Sequence, residues 1–209
     1  MSNKPIYIGI AGLAGSGKDT FFKYLSSALQ KSALRVKRYS FGDELKTEIK
    51  GWCLENYGID PTNCSREEKD YIRDILIAHA RIKRKQTNGK YWIDKTKQTI
   101  KNENLNLDYI CITDVRYNTS HEDEVAFIKD NNGVVVYVSR FKYDEDANKV
   151  YLRALNEEEE INDPMVKQSA DYTVTIREVY RKEDVEEVLI EQVKEFIKWM
   201  EQRTTQTKS

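Results

Sequence analysis

The stretch Gly12-Leu13-Ala14-Gly15-Ser16-Gly17-Lys18 follows the pattern G-x-x-x-x-G-K. Glycines at this spacing let successive backbone N–H groups turn inward around phosphate oxygens. A helix starting at once would add the partial positive charge of its N-terminus, and Lys18 would reach the β and γ phosphates. The chemistry implied is the holding of a nucleoside triphosphate. Asp19 stands where the usual pattern has Ser or Thr, and the hydroxyl comes one place later as Thr20. Phosphoryl transfer depends on positioning and charge neutralisation more than on covalent help. The remaining candidates are therefore cations, and a carboxylate that could hold magnesium, rather than a nucleophilic triad.

Those residues need a scaffold, and the pattern of apolar residues supplies one. Ile6-Tyr7-Ile8-Gly9-Ile10 is a short continuous apolar run, as expected of a central parallel strand, and it leads directly into the glycine-rich loop. Phe21, Phe22, Leu25, Ala28 and Leu29 then recur at helical steps, and strand character returns from Leu34 to Phe41. Helical spacing occupies the middle of the chain, with a break from Gly58 to Ser65 and a further short helix between Tyr91 and Ile100. Strands are expected at Asp108–Thr113, Val134–Val138 and Tyr172–Ile176, with a helix around Val125, Phe127 and Ile128. A closing helix carries Val185, Val188, Leu189, Val193, Phe196, Ile197 and Met200 as one stripe, before a frayed polar tail from Gln202 to Ser209. The fold class is thus α/β, a five-stranded parallel sheet flanked by helices. The charged stretch from Phe141 to Lys167 breaks the alternation and reads as a mobile lid insertion over a site.

On this scaffold Asp114 ends an apolar strand and is a candidate to hold Mg2+, with Thr20, directly or through water; the competing reading is a helix cap. Arg116 lies just past the same strand end, where ligands bind in open α/β sheets, and its guanidinium fork suits a phosphate; otherwise it is a surface arginine paired with Asp114. Arg140 opens the insertion and Arg153 lies within it, so either could close on a transferring phosphoryl group or remain a solvated charge. Lys46 and Arg84 are candidates for an acceptor pocket, against the simpler reading of solvated helix faces. Phe41 and Trp92 could stack a base or fill core. His79 reads as a satisfied core histidine, and the run Glu157-Glu158-Glu159-Glu160 as a solvated face.

The loop Gly15-Ser16-Gly17-Lys18-Asp19-Thr20 resembles the G-S-G-K-x-T of nucleoside monophosphate kinases, and the chain is most similar to the phage deoxynucleoside monophosphate kinases. Phe41-Gly42-Asp43-Glu44-Leu45-Lys46 is similar to that family's F-A-D-P-L-K segment, with Glu44 in place of the proline. Lys90-Tyr91-Trp92-Ile93, Thr113-Asp114-Val115-Arg116 and Val166–Tyr172 resemble further landmarks, in the family's order. The resemblance implies a single P-loop domain over 1–209 with a helical acceptor-binding region at about 43–104 and a lid at about 141–167. It also implies ATP with Mg2+ as cofactors, and lid arginines of the kind offered by Arg140 and Arg153.

A hydroxyl acceptor benefits from a general base and a phosphate acceptor does not. Asp43 could be such a base, which keeps a kinase of nucleosides or hydroxymethylated bases as an alternative; the cations Lys46, Arg84 and Arg116 favour a phosphorylated acceptor. A nucleotide-binding regulator without transfer is the third reading.

With 34 Lys and Arg against 35 Asp and Glu, the net charge of −1 argues against strong nucleic-acid binding. Cys53, Cys64 and Cys111 lie far apart with only His79 and His121 as further ligands, so a zinc site or disulfide framework is not expected. No segment approaches the roughly 20 apolar residues that span a bilayer. The expected setting is cytoplasmic, the partner a small nucleotide, and a homodimer is left open.

Overall fold

The computed structural model describes residues 4–178 and 182–206, with the side chains of 182–185 and 204–206 outside the description. The elements in chain order are β1 (Ile6–Ala11), α1 (Lys18–Lys31), β2 (Val36–Tyr39), α2 (Phe41–Tyr57), α3 (Arg66–Tyr71), α4 (Arg73–Gln86) and α5 (Lys90–Glu103). They continue with β3 (Tyr109–Val115), α6 (Glu124–Asp130), β4 (Val134–Tyr143), β5 (Lys149–Tyr151), α7 (Glu157–Gln168), β6 (Tyr172–Arg177) and α8 (Lys182–Gln206). The chain divides into two compact units, Met1–Arg38 with Asn106–Ser209, and Tyr39–Leu105.

The first unit is an α/β layer structure built on a mostly parallel sheet. β1 lies between β3 and β4 and pairs in parallel with both, and β4 pairs in parallel with β6. β2 lies at the other edge, beside β3. β5 adds a short antiparallel pairing to the far end of β4, Phe141 opposite Tyr151. The sheet therefore has six strands where the apolar runs predicted five. Three residues are too few to produce a readable alternation, and the continuation of β4 to Tyr143 is exposed at Lys142 and Tyr143.

Helical periodicity decides what covers the sheet. Phe21, Leu25 and Leu29 of α1, with Leu189, Val193, Phe196 and Met200 of α8, pack on Ile8, Ile10, Cys111, Val136, Val138, Val174 and Ile176. Each large apolar side chain so buried contributes on the order of 1.5–3 kcal/mol. The stripe on α8 is narrower than its sequence suggests, since Val188 is exposed; the side chain of Val185 lies outside the described residues. The tail expected to fray from Gln202 remains helical to Gln206, and residues beyond lie outside the description.

The expected lid, 141–167, contains β5 and most of α7, and is anchored by buried Phe141 and Val166. α7 starts with Asn156 as N-cap, its side chain accepting from the Glu159 N–H at 2.9 Å, and four glutamates in the first turn suit the helix dipole. Reading those glutamates as a wholly solvated face is corrected by Glu159, which is buried.

The second unit is helical. Ile49, Cys53, Ile72 and Leu76 form its core, with Leu45, Ile59 and Ile75 against them. Phe41 begins α2 rather than ending the preceding strand, as the apolar pattern had suggested. No helix among the described residues is long and apolar enough to cross a membrane.

Candidate functional site

β1 delivers the chain into the glycine loop and α1 takes it up at Lys18. Gly12 has φ +137°, and a Cβ there would meet the Val138 carbonyl oxygen at 2.3 Å and Ser16 Oγ at 2.8 Å, so only glycine lets the loop fold over β4. The Ser16 N–H donates to the Leu13 carbonyl at 3.1 Å, closing the turn. Gly17, at φ +100°, caps α1 with no side chain, which leaves the first amides of the helix open to a ligand.

The Lys18 ammonium curls back, donating to the carbonyl oxygens of Gly12 and Leu13, each at 2.7 Å. Burial, then the nearby charge of Arg116, lower its pKa to about 8, partly countered by Glu159, Asp19 and Asp114. Ser16 Oγ, Thr113 Oγ1 and Arg140 Nε are buried with no hydrogen-bond partner among the described residues. Buried orphan polar atoms are uncommon, and two of these belong to the loop and to β3 beside Asp114. Asp19 and Thr20 are exposed on the first turn of α1, while Leu13 and Ala14 are half-buried.

The pairing of β1 with β3 explains how Asp114 and Arg116 reach this place. Gly9 lies opposite Ile112, but Ala11 lies opposite Val115, so β3 carries one extra residue at Thr113-Asp114. Such a bulge re-aims side chains at a strand end. Beyond it, buried Glu124 at the start of α6 accepts from the backbone N–H of Arg116 at 2.7 Å and of Tyr117 at 3.2 Å. The Arg116 side chain donates from Nη1 to Glu159 Oε1 at 2.9 Å. Partial desolvation disfavours its charge, yet Asp114, Glu159 and Glu124 outweigh this and push its pKa above the ordinary arginine value.

α7 is tied to the segment after β3 and to β4 by side-chain hydrogen bonds. The Tyr117 hydroxyl donates to Glu158 at 2.5 Å, and the Tyr137 hydroxyl to Asp163 Oδ2 at 2.6 Å. Burial pushes the Asp163 carboxyl up, against the Tyr137 hydrogen bond and the Lys167 and Lys18 charges. Arg140 reaches the Gly15 carbonyl from Nη1 at 3.5 Å and pairs with Glu178 at 3.4 Å. Arg153 is exposed between β5 and α7. The first unit thus gathers the glycine loop with Lys18, Asp114, Arg116 and Arg140.

The other expected residues belong to the second unit. Lys46 donates to Asp43 Oδ1 at 3.0 Å, and Arg84 donates to the Gly89 carbonyl at 3.3 Å. Phe41 and Trp92 are buried, and Trp92 Nε1 donates to the Ala80 carbonyl at 3.4 Å. Both rings are buried with the core, the commoner role of such aromatics. Glu48 joins three helices of this unit. It accepts from the Tyr91 hydroxyl at 2.5 Å, lies 3.0 Å from His79 Nε2, and lies 3.4 Å from both Lys83 and Lys95.

Sequence reasoning missed Glu124, Glu158, Glu159, Asp163, Tyr117 and Tyr137. A trace of α7's inward face was there to be found, because the buried Glu159, Asn162 and Val166 follow helical spacing. The run of four glutamates concealed it.

No protein-family model matches the sequence, and no curated protein does. Among solved structures, shikimate kinase from Acinetobacter baumannii in complex with shikimate overlaps with a TM-score of 0.44 at 16% identity, covering 96% of this chain and 95% of that one. Shikimate kinase from Aquifex aeolicus vf5 gives 0.44 at 17% identity over 96% and 99%. A gluconokinase from Sinorhizobium meliloti 1021 gives 0.38 at 8% identity over 96% and 98%. At such values the overlaps carry no functional argument, and the chemistry must be read from this chain's own residues.

Proposed function

We propose that the protein is a Mg2+- and ATP-dependent phosphotransferase that converts deoxynucleoside monophosphates to diphosphates. The observation that carries this reading is the pairing of two cations at one loop: Lys18, nearly buried and with a lowered pKa, beside Arg116. Two neighbouring cations disfavour each other, the carboxylates around Lys18 offset this only in part, and the transferred group and a phosphorylated acceptor bring further anions. The glycine loop fits a triphosphate on its own terms. Gly12 admits nothing larger, no side chain caps α1, and Ser16 Oγ is buried with no partner among the described residues. Thr20 and Asp114 offer the hard oxygen donors that Mg2+ takes, and the ion held there would supply neutralisation of phosphate charge.

In this reading Lys18 and the loop amides hold the β and γ phosphates. Arg116 orients the acceptor phosphate so that one of its oxygens forms the new bond to the γ phosphorus as the bond to the β–γ bridging oxygen breaks; that oxygen keeps the electron pair and leaves on ADP. Arg140, with Arg153 as its alternative, neutralises the transferring group. Lys46 and Arg84 are assigned to the acceptor side on sequence alone, and Asp43, tied to Lys46, is the base to test if the acceptor proves to be a hydroxyl.

The test is Arg116→Ala. The expected result is a loss of acceptor-dependent transfer of at least roughly a hundredfold in kcat/KM, with ATP binding retained. Transfer at the unaltered rate would overturn the acceptor assignment.

A further inference from the structure

Glu159 is a buried carboxylate paired with Arg116. Its two oxygens are occupied differently. Oε1 accepts from the Arg116 guanidinium at 2.9 Å, and Oε2 accepts from the Leu155 N–H at 3.2 Å. The backbone of Arg116 is meanwhile fixed separately by Glu124. Glu159 is therefore not what locates the residue; it is an anion hydrogen-bonded to the residue's side chain, where the Asp114 charge also acts. Lys18 also senses it, so the carboxylate lies within the electrostatic reach of the loop lysine as well.

A phosphate arriving at Arg116 meets a carboxylate already seated there, and two anions on one guanidinium repel each other. We infer that Glu159 is an internal competitor for the acceptor phosphate, and hence a specificity-determining residue. An acceptor that brings its own anion displaces it from Arg116, whereas an uncharged hydroxyl acceptor leaves it in place. The inference deepens the proposed function and rests on its assignment of Arg116 as the acceptor anchor. Displacement need not undock α7, because the Tyr117–Glu158 and Tyr137–Asp163 contacts hold the helix independently.

The experiment measures calorimetric binding of thymidine monophosphate, with thymidine beside it, to the full-length protein and to Glu159→Gln, Arg116→Ala and the double variant. Gln keeps an oxygen for the Leu155 N–H and removes the charge. The expected result is monophosphate binding roughly fivefold tighter in Glu159→Gln, a matching fall in acceptor KM, and no change for thymidine. In the Arg116→Ala background the effect of Glu159→Gln should vanish, whereas a merely structural role would persist there. Unchanged or weaker monophosphate binding in Glu159→Gln, or an effect that survives without Arg116, overturns the inference and leaves the proposed function standing. If Arg116→Ala itself leaves monophosphate binding unaltered, the acceptor assignment fails and the inference falls with it.

Discussion

The Lys18 ammonium donates to the carbonyl oxygen of Gly12 at 2.7 Å, so the loop's own backbone holds its lysine. Burial and Arg116 hold that ammonium at a pKa of about 8, against an ordinary 10.5. An anion at the loop favours the charged form and raises the pKa again. ATP binding near pH 8 should therefore take up a fraction of a proton, on the order of one half. Calorimetry in buffers of different ionisation enthalpy measures this, and Lys18→Met should abolish it. The same shift has a sign for stability. The unfolded chain binds the Lys18 proton more tightly between about pH 8 and 10.5, so through this group the protein gains stability as pH rises across that window.

Two glycines should respond in opposite ways to alanine. At Gly12 the added Cβ would lie 2.3 Å from a backbone oxygen at φ +137°, so Gly12→Ala should cost about 2–4 kcal/mol and eliminate ATP binding. Gly51 lies exposed inside α2 with open space at its Cβ, so Gly51→Ala should stabilise by about 0.5–1 kcal/mol. Denaturant melts of both variants check the pair.

With Asp60, Glu48 contributes to the acid sensitivity of the helical unit. Burial alone would raise its pKa, but the hydrogen bonds from Tyr91 and His79 and the charge of Lys83 prevail and bring it from 4.5 to about 2. Its folded value is depressed, so the stabilisation is present above 4.5 and is lost as pH falls towards 2. Glu48→Gln should lower the unfolding free energy at neutral pH by about 2 kcal/mol and flatten its decline over that acid range. Denaturant titrations across pH measure both effects.

Glu124 fixes the backbone at Arg116. Removing its carboxylate in Glu124→Ala leaves the N–H groups of Arg116 and Tyr117 without their partner. The expected cost is about 2 kcal/mol in stability, together with a fall in acceptor-dependent kcat/KM larger than any change in ATP affinity. Steady-state kinetics on the folded variant distinguish the two parameters.

Where the signal was local, it could be read from residue order. The glycine loop, the strand before it and the helix after it are contiguous, and Phe21, Leu25 and Leu29 mark their own helix face. What joins distant segments left no such mark. The bulge that aims Asp114 depends on which residues of β1 lie opposite β3. Glu159 acquires its meaning from Arg116, which lies in a different part of the chain. A buried glutamate among four consecutive ones has the composition of a solvated face, and only packing separates it from its neighbours. The same holds for Trp92, whose type suits a core more often than a base platform, and whose burial is a property of the packing alone.

The most direct test of the central claim is acceptor-dependent ADP formation from Mg–ATP. The acceptors are the four deoxynucleoside monophosphates and 5-hydroxymethyl-pyrimidine monophosphates, with the unphosphorylated nucleosides alongside and Lys18→Ala as control. Turnover with monophosphates, absent with nucleosides and lost in Lys18→Ala, is the predicted result. Turnover with nucleosides, or ATP binding with no acceptor-dependent turnover at all, would contradict it.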